Sequence, residues 1–292
     1  MLSVKDVRKS YNKNEVLHGV SLSLNPGEIH GLIGENSAGK TTLIKCITGI
    51  YRTDSGSISV DDKPVFDNPE VKRVIGYVAD YNEYFKHYSA KKMVKMYQNF
   101  YPKFDTEKFN SMNAIFELPL EKKISSLSKG QKMRLAIMLE MAKKPKYLIL
   151  DEPTSGLDPV AKDAFYRLLV KEVEENETGV LISSHHLDGL ERICDSVTMI
   201  HEGCVEKQMA MDEMKGEVTK VHAVFENGAG PEIYRIPEML RISNVGSIYT
   251  MIIRDYNEDV EGRLKECGAG LIEKVALSLE EVFVTLEESR KE

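Results

Sequence analysis

Hydrophobic and polar positions alternate along the first two dozen residues. Leu2, Val4 and Val7 fall on one face of a predicted strand, and Val16, Val20, Leu22 and Leu24 repeat the pattern in a second. Asn25, Pro26 and Gly27 supply a turn before the apolar run Ile29 to Ile33, which ends in a glycine-rich loop. The segment TTLIKCITGI after that loop has the apolar spacing of a buried helix. SGSISVDDKPVF then predicts a short hairpin, and VKRVIGYVAD a further strand. From Tyr84 to about Met141 the period becomes helical, broken at Tyr101 to Asp105. Pro102 lacks the N–H that a helix interior needs, so the stretch divides into separate helices in a lobe inserted into the core.

The apolar strand YLILDEP, at 147 to 153, is followed by a predicted helix over 160 to 175, the strand GVLISS, a helix starting near Leu187 and the strand SVTMI. Apolar strands alternating with helices predict a mostly parallel sheet covered by helices, an α/β core ending near residue 215. Beyond it TKVHAVF, SIYTMII and LIEKVAL read as strands, with helices near 257 to 267 and 279 to 289. NGAGP, ending at Pro231, reads as a turn. Residues 216–292 therefore form a small α/β accessory domain; Leu279, Val282, Phe283 and Leu286 give its last helix an apolar face.

Composition supports a folded chain: of 292 residues 42% are hydrophobic and 29% charged. The balance of 39 basic against 46 acidic side chains offers no overall field to gather nucleic acid, and no nucleic-acid partner is expected. No apolar stretch approaches the roughly 18 to 20 residues of a membrane-spanning helix, so transmembrane conduction by this chain alone is excluded. The start MLSVKDVRKSYNK has no long apolar region of a secretory signal, and the expected location is cytoplasmic. Cys46, Cys194, Cys204 and Cys267 have neither CxxC spacing nor disulfide-scaffold density, which fits thiols in a reducing compartment. His185, His186, Cys194 and His201 lack a recognised zinc spacing.

GENSAGKT, Gly34 to Thr41, satisfies the full GxxxxGK[ST] phosphate-loop pattern between a predicted strand and helix. Backbone amides of Gly34, Glu35, Asn36, Ser37, Ala38 and Gly39 surround a phosphate, and the helix end at Thr41 and Thr42 adds its unpaired N–H groups. Lys40 reaches the β- and γ-phosphates, and the Thr41 hydroxyl suits Mg2+. In YLILDE, Asp151 suits Mg2+ directly or through water, and Glu152 suits orienting and polarising the attacking water. The two motifs together predict hydrolysis of ATP or GTP.

At this point the chain resembles an ATP-binding-cassette (ABC) ATPase, the ATP-binding subunit of a bacterial ABC transporter. The resemblance covers residues 1 to about 210. LSKGQ, Leu127 to Gln131, is similar to the family signature LSGGQ; SGLD, Ser155 to Asp158, to its D-loop; and SSH places His185 at the switch-histidine position. The resemblance implies an α/β fold: a P-loop ABC ATPase core over 1–215, an inserted helical subdomain over about 84–142, and the C-terminal accessory domain for dimerisation or regulation. Ser128, Lys129, Gly130 and Gln131 then face ATP bound by an opposite subunit in a head-to-tail sandwich. Read physically, Ser128 with Gln131 is also a capping box that needs no ligand. Gly130 permits close backbone approach to phosphate.

Two positions depart from the family pattern. Lys129 stands at the third signature position, where the family has glycine; it faces solvent, a partner's γ-phosphate or a nearby carboxylate. Asp80, after IGYVA, stands where the family's Q-loop has glutamine; as a carboxylate it suits Mg2+, or it is an acidic turn residue without a catalytic role. Tyr11 matches the aromatic that stacks on adenine, or it fills the core. His185 bridges the γ-phosphate and the catalytic carboxylate, or is structural; His186 has no family role.

The resemblance implies ATP and Mg2+ as cofactors, an ATPase homodimer or related heterodimer, and separate transmembrane permease subunits that hold it peripherally at the cytoplasmic side of the membrane. MVKMYQNFYPKFD, Met93 to Asp105, and the ending ALSLEEVFVTLEE resemble bacterial antibiotic or peptide exporter ATPases. The competing readings are a soluble ABC-type ATPase of translation or DNA repair, and a non-hydrolysing ATP-dependent regulatory module. Against the first stand the short interval 43 to 126 without heptads and the single phosphate loop; against the second stands the intact set Lys40, Asp151, Glu152 and His185.

Overall fold

The computed structural model describes residues 1–82, 87–185, 187–216, 218–226 and 228–288. His186, Asn227, the start of the helical lobe at Tyr84, the side chain of Leu286 and the last expected helical residue, 289, lie outside the described residues or side chains. The chain divides into two compact units, Met1–His185 with Arg192–Gln208, and His186–Glu191 with Met209–Glu292.

The first unit begins with β1 (Leu2–Tyr11), β2 (Asn14–Leu24), β3 (Ile29–Ile33), α1 (Lys40–Ile47), β4 (Ser55–Val60), β5 (Lys63–Pro64), α2 (Pro69–Arg73) and β6 (Ile75–Val78). A helical lobe follows, made of α3 (Ala90–Phe100), α4 (Thr106–Phe116) and α5 (Lys129–Ala142). The chain then returns to the core through β7 (Tyr147–Asp151), α6 (Pro159–Asn176) and β8 (Gly179–Ser184). After the single turn α7 (Leu187–Leu190), which is counted with the second unit, come β9 (Ser196–His201) and β10 (Cys204–Ala210).

The expected parallel sheet is there, with β3 between β8 and β9 and β7 between β6 and β8, all parallel; β10 extends it beside β9. Residues of β3, β7 and β8 are buried throughout, as strands covered on both faces must be. A second sheet, in the order β2-β1-β4-β5 and antiparallel, was not expected as a separate layer. Leu43, Ile44 and Ile47 of α1 share one core with Val4, Val20 and Leu22 of this sheet and with Ile149 and Leu181 of the parallel one.

The alternation read for β2 holds only at Val20, Leu22 and Leu24. Leu17, not Val16, is the next buried side chain. The pairing steps from Val7 opposite Val20 to Arg8 opposite His18, leaving Gly19 as an extra residue at φ +92°. One inserted residue reverses which face each later side chain takes.

In the lobe, Ser89 and Asp105 cap α3 and α4 by accepting from Lys92 N and Lys108 N. The break between these helices falls at Tyr101 to Asp105, where Pro102 sits. Helix α5 is buried nearly all round from Met133 onward, so its sequence is apolar without a single stripe.

The second unit adds α8 (Met211–Gly216), β11 (Val218–Val224), β12 (Met239–Val245), β13 (Ile248–Arg254), α9 (Glu258–Glu266), β14 (Leu271–Val275) and α10 (Leu279–Glu288). Its antiparallel sheet, ordered β12-β13-β11-β14, has four strands where three were expected. Val221, Ala223, Phe225, Met251 and Ile253 pack with Val260 and Leu264 of α9 in a core of its own. Leu279 and Val282 of α10 are buried, and Leu279 N donates to the Glu191 carboxylate at 3.0 Å.

Candidate functional site

Five buried residues of β3 carry the chain to the glycine-rich loop, and α1 leaves it. Gly39 caps α1 at φ +105°, and a Cβ there would lie 2.9 Å from Leu17 Cδ2 and 3.2 Å from the Val16 carbonyl oxygen. A Cβ on Gly34 would lie 2.2 Å from the Ile200 carbonyl oxygen. Ser37 takes the left-handed region at φ +71°, and Ala38 N donates to the Glu35 carbonyl at 3.2 Å, folding the loop on itself. Lys40 is 7% exposed; its ammonium donates to the carbonyls of Gly34 at 2.7 Å and Glu35 at 3.0 Å. Burial pushes its pKa down, and the carboxylates of Glu152 and Asp151 oppose that shift. Asn36 and Thr42 lie on the same loop and helix start, with Asn36 exposed.

Strand β7 ends beside this loop. Asp151, 2% exposed, accepts from Ser183 Oγ at 2.8 Å and Thr41 Oγ1 at 3.2 Å. Burial raises its pKa, while these two hydroxyls pull it down. Glu152 follows in the left-handed region at φ +49°, its N–H donating to the Ser183 carbonyl at 3.2 Å and lying 3.1 Å from Ser183 Oγ. That turn sends its carboxylate to His185 Nδ1 at 2.8 Å. Ser183, not anticipated from the sequence, thus orders both acids from β8; its only sequence signal is its place in SSH.

The LSKGQ segment forms the predicted cap. Ser128 Oγ accepts from Gln131 N at 3.1 Å, and Gln131 Oε1 accepts from Ser128 N at 3.0 Å, leaving Ser128 exposed at the start of α5. A Cβ on Gly130 would lie 2.4 Å from the Gly156 carbonyl oxygen, so its bareness admits the turn after β7 of the same chain. Of the destinations open to Lys129, the structure shows the carboxylate: Lys129 Nζ bonds Asp80 Oδ1 at 3.0 Å and Ser155 Oγ at 2.8 Å. Asp158 caps α6 through Ala161 N at 2.9 Å and pairs with Arg134 Nη2 at 2.5 Å. Backbone donation from Ala161, ahead of the Arg134 charge, lowers its pKa. Arg134 was not anticipated, and Ser155 was read only as the start of the D-loop-like SGLD; the local sequence does not mark either as a partner of these side chains.

Tyr11 is 40% exposed, its ring 5.8 Å from that of Tyr51 at 78°. The core-filling alternative therefore does not hold, and the ring offers a face to a planar group.

The residues fit Mg2+ by the chemistry of their oxygens: an exposed hydroxyl at Thr41 bonded to a buried carboxylate at Asp151 is a hard donor pair beside a phosphate loop. Among the described residues no cluster of three or more His, Cys, Asp or Glu forms a metal cage. Such a cage is not needed, because Mg2+ takes one or two carboxylates together with substrate phosphates. Also among the described residues, no helix is long and apolar enough to cross a membrane.

Comparison with known proteins gives the family. A family model described as ABC transporter matches residues 17–155. The chain is 34% identical over 284 residues to the ABC transporter ATP-binding protein YtrB of Bacillus subtilis (strain 168), covering 97% of each. It is 31% identical over 233 residues to the lantibiotic transport ATP-binding protein SrtF of Streptococcus pyogenes, over 77% of this chain and 99% of that one. A solved structure titled as the ATP binding subunit of an ABC transporter aligns at a TM-score of 0.68 and 29% identity, covering 74% of this chain and 92% of that one. With a near full-length relative at that identity, the chain belongs to the family of ABC transporter ATP-binding proteins.

Proposed function

We propose that this protein hydrolyses ATP at a site built from Gly34–Thr42, Asp151, Glu152 and His185, and that two copies, or this chain and a related one, close head to tail around the nucleotides. The observation that carries the reading is the Glu152–His185 hydrogen bond of 2.8 Å, set next to the Thr41–Asp151 pair and the phosphate loop.

Each residue has work that its surroundings support. The amides of the loop and the first turn of α1 bind phosphate oxygens. Lys40 exchanges its two carbonyl partners for phosphate, whose negative charge compensates a cation that burial disfavours. Thr41 and Asp151 would hold Mg2+, which when bound would neutralise phosphate charge. Glu152 accepts a proton from the attacking water, and His185 Nδ1 fixes the direction of its carboxylate. Tyr11 takes the adenine face. Ser128, Lys129, Gly130, Gln131 and Asp158 serve the nucleotide held by the opposite copy.

ATP binding closes the pair, and motion of the helical lobe passes to separate transmembrane permease subunits, which place the protein at the cytoplasmic face of the membrane. The cargo is a peptide or antibiotic-like compound moved outward; the likeness to a lantibiotic transport protein supports this part. Residues 216–292, with a core of their own and none of the nucleotide residues, stabilise the dimer or regulate coupling. Co-purification of the native complex followed by cargo identification tests the transport reading. Recovery without any membrane partner, on ribosomes or DNA, would replace it with a soluble role.

A further inference from the structure

The two positions at which this chain departs from the family motifs are bonded to each other. Lys129 Nζ donates to Asp80 Oδ1 at 3.0 Å and to Ser155 Oγ at 2.8 Å, so one ammonium joins the segment after β6, the first residue of α5 and the turn after β7. Its stem is seated as well: a Cβ on Gly156 would lie 3.3 Å from Lys129 Cγ. Both charged side chains are about half exposed, 50% for Lys129 and 48% for Asp80. Pairs as wet as this are weak and exchange partners readily. The ammonium also sits at the positive end of a 14-residue helix, where a cation is disfavoured unless an anion stands beside it. Asp80 provides one negative charge through one oxygen. A triphosphate brings several, so it outcompetes the carboxylate wherever it reaches the same ammonium.

Resting on the nucleotide-sandwich reading above, we propose that Asp80 holds Lys129 in the open chain as a stand-in for phosphate, and that the triphosphate presented by the opposite copy takes the ammonium over. Closure then frees the Asp80 carboxylate. Release of Asp80 and capture of the triphosphate are thereby coupled, and that coupling must run equally in both directions. Lys129 and Asp80 are in this account positioning residues that trade one anion for another.

The test uses the full chain carrying Glu152→Gln, with ATP-driven association followed by light scattering across an ATP titration. Asp80→Asn removes the competing charge and lowers the ATP midpoint about two- to fivefold, the size that an exposed ion pair supports. Lys129→Met keeps the stem but removes the ammonium, and raises the midpoint. In the double variant Asp80→Asn has no further effect, because there is no cation left for it to release. A purely structural staple would make both single variants shift the same way; that result, or an Asp80→Asn effect that persists without Lys129, overturns the proposal. If the E152Q chain binds ATP yet never associates, the sandwich reading itself has failed and the proposal falls with it.

Discussion

Glu140 of α5 and Lys143, the residue that caps the end of that helix, form an ion pair of 2.7 Å in which both side chains are under a tenth exposed. Glu140 also accepts from Tyr97 Oη at 2.9 Å and Tyr77 N at 3.1 Å, and Lys143 Nζ also reaches the Ile75 carbonyl at 3.3 Å. One carboxylate thus ties the signature helix to α3 and to β6, the strand that leads to Asp80. Removing one partner strands a buried charge. Glu140→Ala is expected to cost about 3–5 kcal/mol, and Glu140→Leu with Lys143→Met to recover much of it. Urea unfolding of the three proteins measures this; equal stability of the single variant and the parent would show the network to be idle.

Glu152→Gln preserves shape and removes the charge that draws a proton from water. ATP binding should survive while hydrolysis slows at least about 100-fold, the lower range for loss of a general base. His185→Ala, which leaves the carboxylate undirected, should also slow turnover with little change in ATP affinity. Steady-state turnover with parallel nucleotide-binding titrations decides it; near-parental hydrolysis by E152Q would remove Glu152 from the chemistry.

At Gly130 the space is already filled by a backbone oxygen, 2.4 Å from where a Cβ would stand. Backbone cannot rotate aside as a side-chain tip does, so Gly130→Ala should displace the Ser155–Asp158 turn and cost about 1–3 kcal/mol. Thermal unfolding would register it. Ser128→Arg, by contrast, occupies an exposed position, and should spare the fold while opposing ATP-driven association of the E152Q chain. Light scattering at saturating ATP with unchanged dimer in S128R would count against the signature facing a second copy.

Glu28 gives a pH dependence with a defined sign. His30 at 3.5 Å, Ser196 Oγ at 2.5 Å and the Asn25 amide at 3.0 Å hold its carboxyl down at about 2, against an ordinary 4.5. The folded chain therefore favours the charged form. Its contribution is complete above pH 4.5 and disappears as pH falls towards 2. Glu28→Gln should destabilise by about 1.5–3 kcal/mol at pH 7, and the gap from the parent should narrow steadily below pH 4.5. Paired denaturation curves at pH 7 and 3 measure it; a gap that widens in acid would refute the assignment.

What the sequence determined by itself was whatever lies within a few consecutive residues. GENSAGKT, YLILDE and the Ser128–Gln131 cap are legible because a phosphate cradle, a strand end and a capping box are local objects, closed by the backbone over three to eight positions. Strands β3, β7 and β8 of the parallel sheet were legible for a similar reason, since burial on both faces leaves an unbroken apolar run, whereas β10 at its edge, half-exposed and exposed along its length, was not read. Strand β12 was not: it is an edge strand with half-exposed and exposed side chains, so no period marks it. Nor was the true inner face of β2, because a single bulge at Gly19 reverses the alternation after it. Tertiary structure alone decided that Lys129 meets Asp80, 49 residues away, and that Ser183 serves Asp151 from the neighbouring strand. Which charge finds which partner depends on the order of strands in the sheet, and parallel strands joined by long crossovers place residues side by side that no local pattern connects.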